Sequence, residues 1–291
     1  MEVYKQISHN KWLSTFLIFI VFGIIIALGF ILSFIFDSIL ILIIAVFISI
    51  IYTYLGYSKS KTIILKSTGA KKADPKKDIY LINTVEGLAL AAGIPKPEVY
   101  IIEDKNPNAF ATGKDPKDSA IAVTRGLIDL MNREELEGVI AHEMSHIKNY
   151  DIRFMTLTAV LVGLIAIIAQ ITTRMFIFGG LRGSNRGNGN MIVIVIGIVF
   201  MILAPIFAII VQLAISRKRE YLADASAALL TRYPKGLADA LTKLKNSDTR
   251  VKTASNSTAP LFIATPIKSH ITSLFSTHPP LDSRIKNLRE M

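Results

Sequence analysis

The segment His142-Glu143-Met144-Ser145-His146 carries the residue types and spacing with the clearest chemistry. On a helix, residues four apart share a face, so both imidazoles can reach one metal ion while Glu143 projects toward the open coordination position. Composition favours a helix from Arg133 to Asn149, and Asn132 with Glu135 reads as an N-cap and capping-box pair. A solvated surface helix with two incidental histidines would carry the same five residues, and a third ligand separates the two readings. No cysteine is present, which excludes disulfides and thiolate ligands, so a zinc site must use His and carboxylate.

Ser216-Arg-Lys-Arg-Glu220 leads to Asp224 one helical turn further on. Glu220 can supply the third ligand, and Asp224 can accept a hydrogen bond from the free ring nitrogen of a liganding histidine, fixing its tautomer. The blander account pairs both acids with Arg217 and Arg219 on a solvated helix, and taken alone the segment favours it. Topology changes the weighing. Glu220 lies 74 positions beyond His146, and the stretch between holds two apolar runs that would return the chain to the same membrane face. His9 and His270 lie outside these constellations and read as surface residues.

The elements that must position these groups are mostly membrane helices. The chain has 291 residues, 51% of them hydrophobic, and a mean hydropathy of +0.46, too apolar for an ordinary soluble domain. Phe16 to Phe36 is uncharged and long enough to span, and Ile39 to Tyr57 follows after the break at Asp37 and Ser38. A cleaved signal peptide is shorter and lacks the second run, so a helical hairpin is expected. Met155 to Ile171 and Met191 to Ile215, separated by the polar, glycine-rich Gly179 to Asn190, form a second hairpin, with buried core helices as the alternative. Pro205 is positioned to kink its last helix.

The net charge of +11 admits nucleic acid as a partner, but the basic residues cluster beside apolar runs instead of interleaving with aromatics. Lys59, Lys61, Lys66, Lys71, Lys72, Lys76 and Lys77 follow the second run, as expected of a cytoplasmic flank facing anionic lipid. Arg174, Arg182 and Arg186 in the later loop weaken that rule, so orientation rests on the first hairpin. The expected organisation is a transmembrane hairpin over 1–57, a first part of a soluble domain carrying the metal motif over 58–153, a second hairpin over 154–215, and the rest of the domain over 216–291. Within it, a helix is expected at Ile79 to Ala92, strands at Glu98 to Ile102 and Ala120 to Thr124, and a mobile loop at 247–277.

Four segments in order, Asn108-Ala-Phe-Ala-Thr-Gly113, His142-Glu-Met-Ser-His146, Ser216 to Glu220 with Ala223-Asp224, and Ser276-Thr-His278-Pro-Pro280 with Arg284, resemble the HtpX family of membrane metalloproteases, related to the CAAX prenyl proteases. The resemblance covers nearly the whole chain. It implies an α-helical membrane protein with a small α+β zincin-like protease domain and four transmembrane helices as two hairpins. It further implies one Zn2+ per chain on His142, His146 and Glu220, with Asp224 behind them and Glu143 as general base and acid. His278 and Arg284 would assist the oxyanion or the substrate backbone; a Pro-capped helix start with a surface arginine is the alternative. The small residues Ala109, Ala111 and Gly113, in a segment running from Asn108 through Phe110 and Thr112, would let a substrate strand pair with an exposed sheet edge. By the same resemblance the protein would cleave misfolded or damaged membrane proteins, or unfolded polypeptides, from the cytoplasmic side of a prokaryotic inner membrane. A dedicated prenyl-type processing protease and a non-catalytic zinc-stabilised membrane adaptor are the competing roles.

Overall fold

The computed structural model describes residues 2–35, 37–163, 217–255, 257–264 and 279–291. Two long helices open the chain, α1 (Glu2–Ile35) and α2 (Ile39–Ser58), folded back on each other through Asp37 and Ser38. Their apolar windows are only 25% and 18% buried, and Phe16, Phe19, Phe30, Ile43, Phe47 and Ile51 are among the side chains left exposed. A core helix would hide that surface, so these faces are suited to lipid. The 34 residues of α1 span roughly 51 Å at 1.5 Å per residue, about 20 Å more than a hydrocarbon core. The helix therefore begins well before the expected span, and its early turns pack against the protease domain.

A short helix α3 (Ser60–Ser67) leads into strand β1 (Lys71–Lys72), and α4 (Ile79–Ala92) ends at Gly93 in a left-handed cap. Strands β2 (Glu98–Ile102), β3 (Ala109–Asp115) and β4 (Asp118–Thr124) complete a sheet of order β1-β2-β4-β3. β2 runs parallel to β4, and β3 folds back antiparallel on β4 as the edge strand. Alternation along β4 feeds two cores: Ile121 and Val123 join a cluster with α4 and the metal-motif helix, while Ala120 and Ala122 face Ile64, Phe110, Met155 and Phe262. Helix α5 (Arg125–Leu130) then precedes α6 (Arg133–Lys148), whose expected capping box is present, Asn132 and Glu135 each accepting the other's backbone N–H.

Residues 151–163 form α7, the start of the third apolar run; the rest of that run, the fourth run and the loop between them lie outside the described residues. The chain returns in α8 (Arg217–Thr231), continues through α9 (Pro234–Lys245), and closes with α10 (Leu281–Arg289). These three helices share the core of α4, α6 and the sheet, through Ala227, Leu237, Leu241, Ile285 and Leu288. The expectation of a mobile loop at 247–277 is corrected over its described part. Val251, Phe262, Ile263 and Ala264 are buried, a 3-10 turn covers Ala259–Leu261, and Ile263 N donates to Ala109 O at 2.9 Å. The Ser/Thr content that suggests a loop is engaged in local bonds, such as Thr253 Oγ1 to Thr68 O at 2.7 Å. Residues 265–278 lie outside the described residues.

The crossing of α6 and α9 is close because two glycines face it. A Cβ on Gly138 would stand 2.7 Å from Leu237 N, and one on Gly236 would stand 2.5 Å from Glu134 O. Both obstacles are backbone, so a methyl group has to move a helix. Gly138→Ala should therefore destabilise the protein by about 1–3 kcal/mol through overpacking. Thermal unfolding of the full chain in detergent checks this, and an unchanged midpoint would show that the crossing has slack.

Candidate metal centre

Helix α6 presents His142 and His146 on one face, and α8 brings Glu220 to meet them. The two Nε2 atoms are 3.2 Å apart, and the Glu220 carboxylate lies 3.7 Å from His142 Nε2 and 3.6 Å from His146 Nε2. One ligand atom from each of the three falls within 4.8 Å of the others. Tetrahedral zinc with bonds of about 2.0–2.1 Å separates its ligand atoms by about 3.4 Å, so this spacing suits a single ion. The charge balance agrees with it: the buried carboxylates of Glu143, Asp151, Glu220 and Asp224 are accompanied by the buried guanidinium groups of Arg219 and Arg284. With both imidazoles neutral and all four carboxylates ionised, the state in which the ligands can bind metal, that leaves a deficit of positive charge of the size a divalent cation supplies.

Each imidazole is oriented from behind. His142 Nδ1 lies 3.0 Å from Asp224 Oδ1, as the spacing of Glu220 and Asp224 suggests, and His146 Nδ1 lies 3.0 Å from Asp151 Oδ2. With its outer nitrogen donating to a carboxylate, each ring turns Nε2 inward as an acceptor for metal. Asp151 was not singled out from sequence as a partner. The signal was an acid just past the end of the metal helix, one turn beyond His146.

The alternative of a surface arginine at Arg284 is corrected. Arg284 is fully buried, donates to both oxygens of Asp224 at 2.8 and 2.7 Å, and places Nη1 3.3 Å from Glu220 Oε2. Its Nη2 stands 3.3 Å from His142 Nδ1. Packing of α10 against the core aims this arginine inward, against Asp224, Glu220 and His142, so it is not a surface arginine. His278 and His270 lie outside the described residues, and His9 is exposed on α1.

The segment Asn108 to Gly113 is also more enclosed than expected. β3 is the edge strand, but Asn108, Ala109, Phe110, Ala111, Thr112 and Gly113 are all buried. Asn108 Nδ2 donates to Thr249 O at 3.0 Å and Ala264 O at 2.9 Å, which clamps the 249–264 segment against the sheet. Ala109 O is taken by Ile263 N, Phe110 pairs with Phe262, and Gly113 N donates to Thr156 Oγ1 at 3.2 Å. Outward-facing backbone at both ends of the edge is thus occupied by the chain itself. At its middle, the Ala111 N–H lies close enough to the Glu143 carboxylate to favour its charged form.

Burial sets the electrostatics. The Glu143 carboxyl is pushed up to about 7, chiefly by desolvation and further by Glu220, against the pull of His146, the Ala111 N–H and Arg284. His142 falls to about 4 because burial and the Arg284 charge both oppose its protonation. Burial also opposes charge on His146, but Asp151 and Glu220 outweigh it and raise the group to about 9. Asp224, despite burial, is held below its ordinary range by Arg284 and His142.

Residues 75–291 match the model of peptidase family M48. A protease HtpX homolog of Dictyoglomus turgidum is 46% identical over 290 residues, covering 99% of this chain and 94% of the relative. One from Dictyoglomus thermophilum is 51% identical over 238 residues, 82% of this chain and 78% of the relative. One from Listeria monocytogenes serotype 4a is 41% identical over 303 residues, 99% and 100% of the two chains. The crystal structure of S. mikatae Ste24p superposes with a TM-score of 0.51 at 21% identity, covering 98% of this chain and 67% of that one, a likeness of fold. With its buried His-His-Glu cluster set against an edge strand, this chain belongs to peptidase family M48, among the HtpX proteases, and is a metalloprotease that hydrolyses peptide bonds.

Proposed function

We propose that this metalloprotease is a membrane-embedded zinc endopeptidase acting from the cytoplasmic face of a prokaryotic inner membrane on misfolded or damaged membrane proteins. The observation that carries the reading is the convergence of His142, His146 and Glu220 within 4.8 Å, on helices that the sequence separates by two apolar runs. Two imidazoles and one carboxylate, without thiolate, form a ligand set common for catalytic zinc. Two apolar helices with exposed faces support residence in a bilayer, and the third and fourth runs would complete the two hairpins. An unfolded membrane protein is the substrate class that such a site, beside such helices, would meet.

Zinc held there supplies a Lewis acid that acidifies water toward neutrality and polarises a carbonyl. Glu143, beside that position, can take a proton from water and return one to the departing amine. The Ala111 N–H of β3 favours the charged form of that carboxylate. The middle of the edge strand offers backbone for an extended substrate, and backbone pairing reads little of the side chains, in keeping with broad specificity. Asp224, Asp151 and Arg284 keep the ligands in place while protons move, which favours catalysis by limiting reorganisation.

Glu143→Gln should retain metal at the wild-type level while cleavage of an unfolded membrane substrate falls by about 10²–10⁴-fold, the usual loss when a general base is removed. Metal content by elemental analysis and cleavage by gel check this, and retained activity would remove Glu143 from the role. Glu220→Ala should lower metal content below one ion per chain because one of three ligands is lost. A stoichiometry unchanged from wild type would take Glu220 out of the ligand set.

A further inference from the structure

Asn10 lies in an early turn of α1, inside the stretch Ile7–Ala27 that is apolar enough to cross a bilayer, yet its side chain is fully buried. Its Nδ2 donates to Asp151 Oδ1 at 2.6 Å and to the carbonyl of Asn149 at 3.0 Å. Asp151 uses its other oxygen on His146 Nδ1, at 3.0 Å. An unbroken chain of hydrogen bonds thus runs from the first apolar helix through a carboxylate to the imidazole whose Nε2 faces Glu220.

The place where α1 makes this contact is a strained one. Asn149 caps α6, Asp151 opens α7, and Tyr150 between them adopts φ 61, a left-handed conformation that costs an aromatic residue of order 1 kcal/mol or more. Such a turn holds its shape only where its surroundings impose it. Asn10 grips both sides of it, and Lys11 lies over the Tyr150 ring at 4.2 Å from the centroid. Arg219 Nε also approaches Asp151 Oδ1, at 4.0 Å, over the ring of Phe154. A carboxylate held at both oxygens cannot rotate about its Cβ–Cγ bond, so the imidazole plane it supports is fixed as well.

We propose that Asn10 of the first apolar helix is a positioning residue for the metal ligand His146, acting through Asp151. The inference rests on the reading of His142, His146 and Glu220 as a zinc site. Its consequence is that the membrane hairpin is part of the metal centre and not only an anchor, so that zinc binding and the docking of α1 favour each other.

The test is the zinc affinity of the full-length protein in detergent, by competition with a chromophoric chelator. Asn10→Ala and the isosteric Asn10→Asp should each weaken binding by about 10-fold, and Asp151→Ala by about 10–100-fold, as for groups that orient a metal-bound histidine. Adding Asn10→Ala to Asp151→Ala should weaken it no further, because the pathway is already cut. Ser14→Ala, which removes another buried group of the same helix, one bonded to Asn10 O at 2.7 Å, should leave the affinity within about twofold, as expected where no metal-orienting contact is lost. In the wild-type protein, added zinc should slow amide hydrogen exchange over residues 7–17 several-fold, a readout that needs no variant. Wild-type affinity in a folded Asn10 variant, full additivity with Asp151→Ala, or exchange in α1 indifferent to zinc would overturn the proposal. Failure of the wild-type chain to bind zinc at all would overturn the metal-site reading and the proposal with it.

Discussion

The constraint on which the rest of this structure depends is the burial of ionisable groups around two histidines of one helix. His142, Glu143, His146, Asp151, Glu220, Asp224 and Arg284 are each at most 5% exposed. Such groups cannot be left in a protein interior without partners, since each unpaired charge costs several kcal/mol. Every element near the site contributes one. α8 supplies Glu220 and Asp224, α10 supplies Arg284, the start of α7 supplies Asp151, and the edge strand supplies the Ala111 N–H. The small sheet and the glycine-faced crossing of α6 with α9 hold the metal helix still enough for these bonds to keep their lengths.

What the sequence made legible was whatever depends on local pattern. The capping box at Asn132 and Glu135, the helix Ile79–Ala92 and the strand Glu98–Ile102 are written in nearest-neighbour chemistry, and the structure has the same boundaries. The one-turn spacing of Glu220 and Asp224 was equally readable as ligand and partner, because both lie on one helix face. The roles of Arg284 and Asn108 were not. The resemblance points Arg284 toward the oxyanion or substrate and Asn108 toward a substrate strand, and says nothing of their contacts within the fold. Their inward direction is set by how α10 and residues 249–264 fold over the sheet, which no periodicity reveals. Asp151 and Asn10 were hidden for the same reason: their contact spans 141 positions in sequence.

The edge strand shows how tightly substrate access and internal packing are joined. An antiparallel edge offers backbone groups in alternation, and here Ala109 and Gly113 use theirs on Ile263 and Thr156. These contacts satisfy backbone that would otherwise template pairing with any extended chain, a hazard for an exposed edge. Between these two occupied positions lies Ala111, whose N–H favours charge on Glu143. The segment that covers the edge is itself fastened by Asn108, so one side chain links the sheet, the covering segment and the position from which a proton would be moved.

The two histidines are supported by the same design with different charge, and the difference has a chemical effect. Behind His142 stands Asp224, gripped by the Arg284 guanidinium from the last helix; behind His146 stands Asp151, gripped by the neutral Asn10 amide from the first. The Arg284 guanidinium bonds its carboxylate directly and repels a protonated ring, whereas Asp151 is bonded by an amide and has its guanidinium, that of Arg219, further off at 4.0 Å. Burial with Arg284 therefore takes His142 to about 4, while Asp151 and Glu220 overcome burial and take His146 to about 9. A metal ion competes with that proton, and the charge left on Asp151 then raises the basicity of His146 as a ligand. The two supports thus differ in the group bonded to each carboxylate, with both ends of the described chain contributing to the difference.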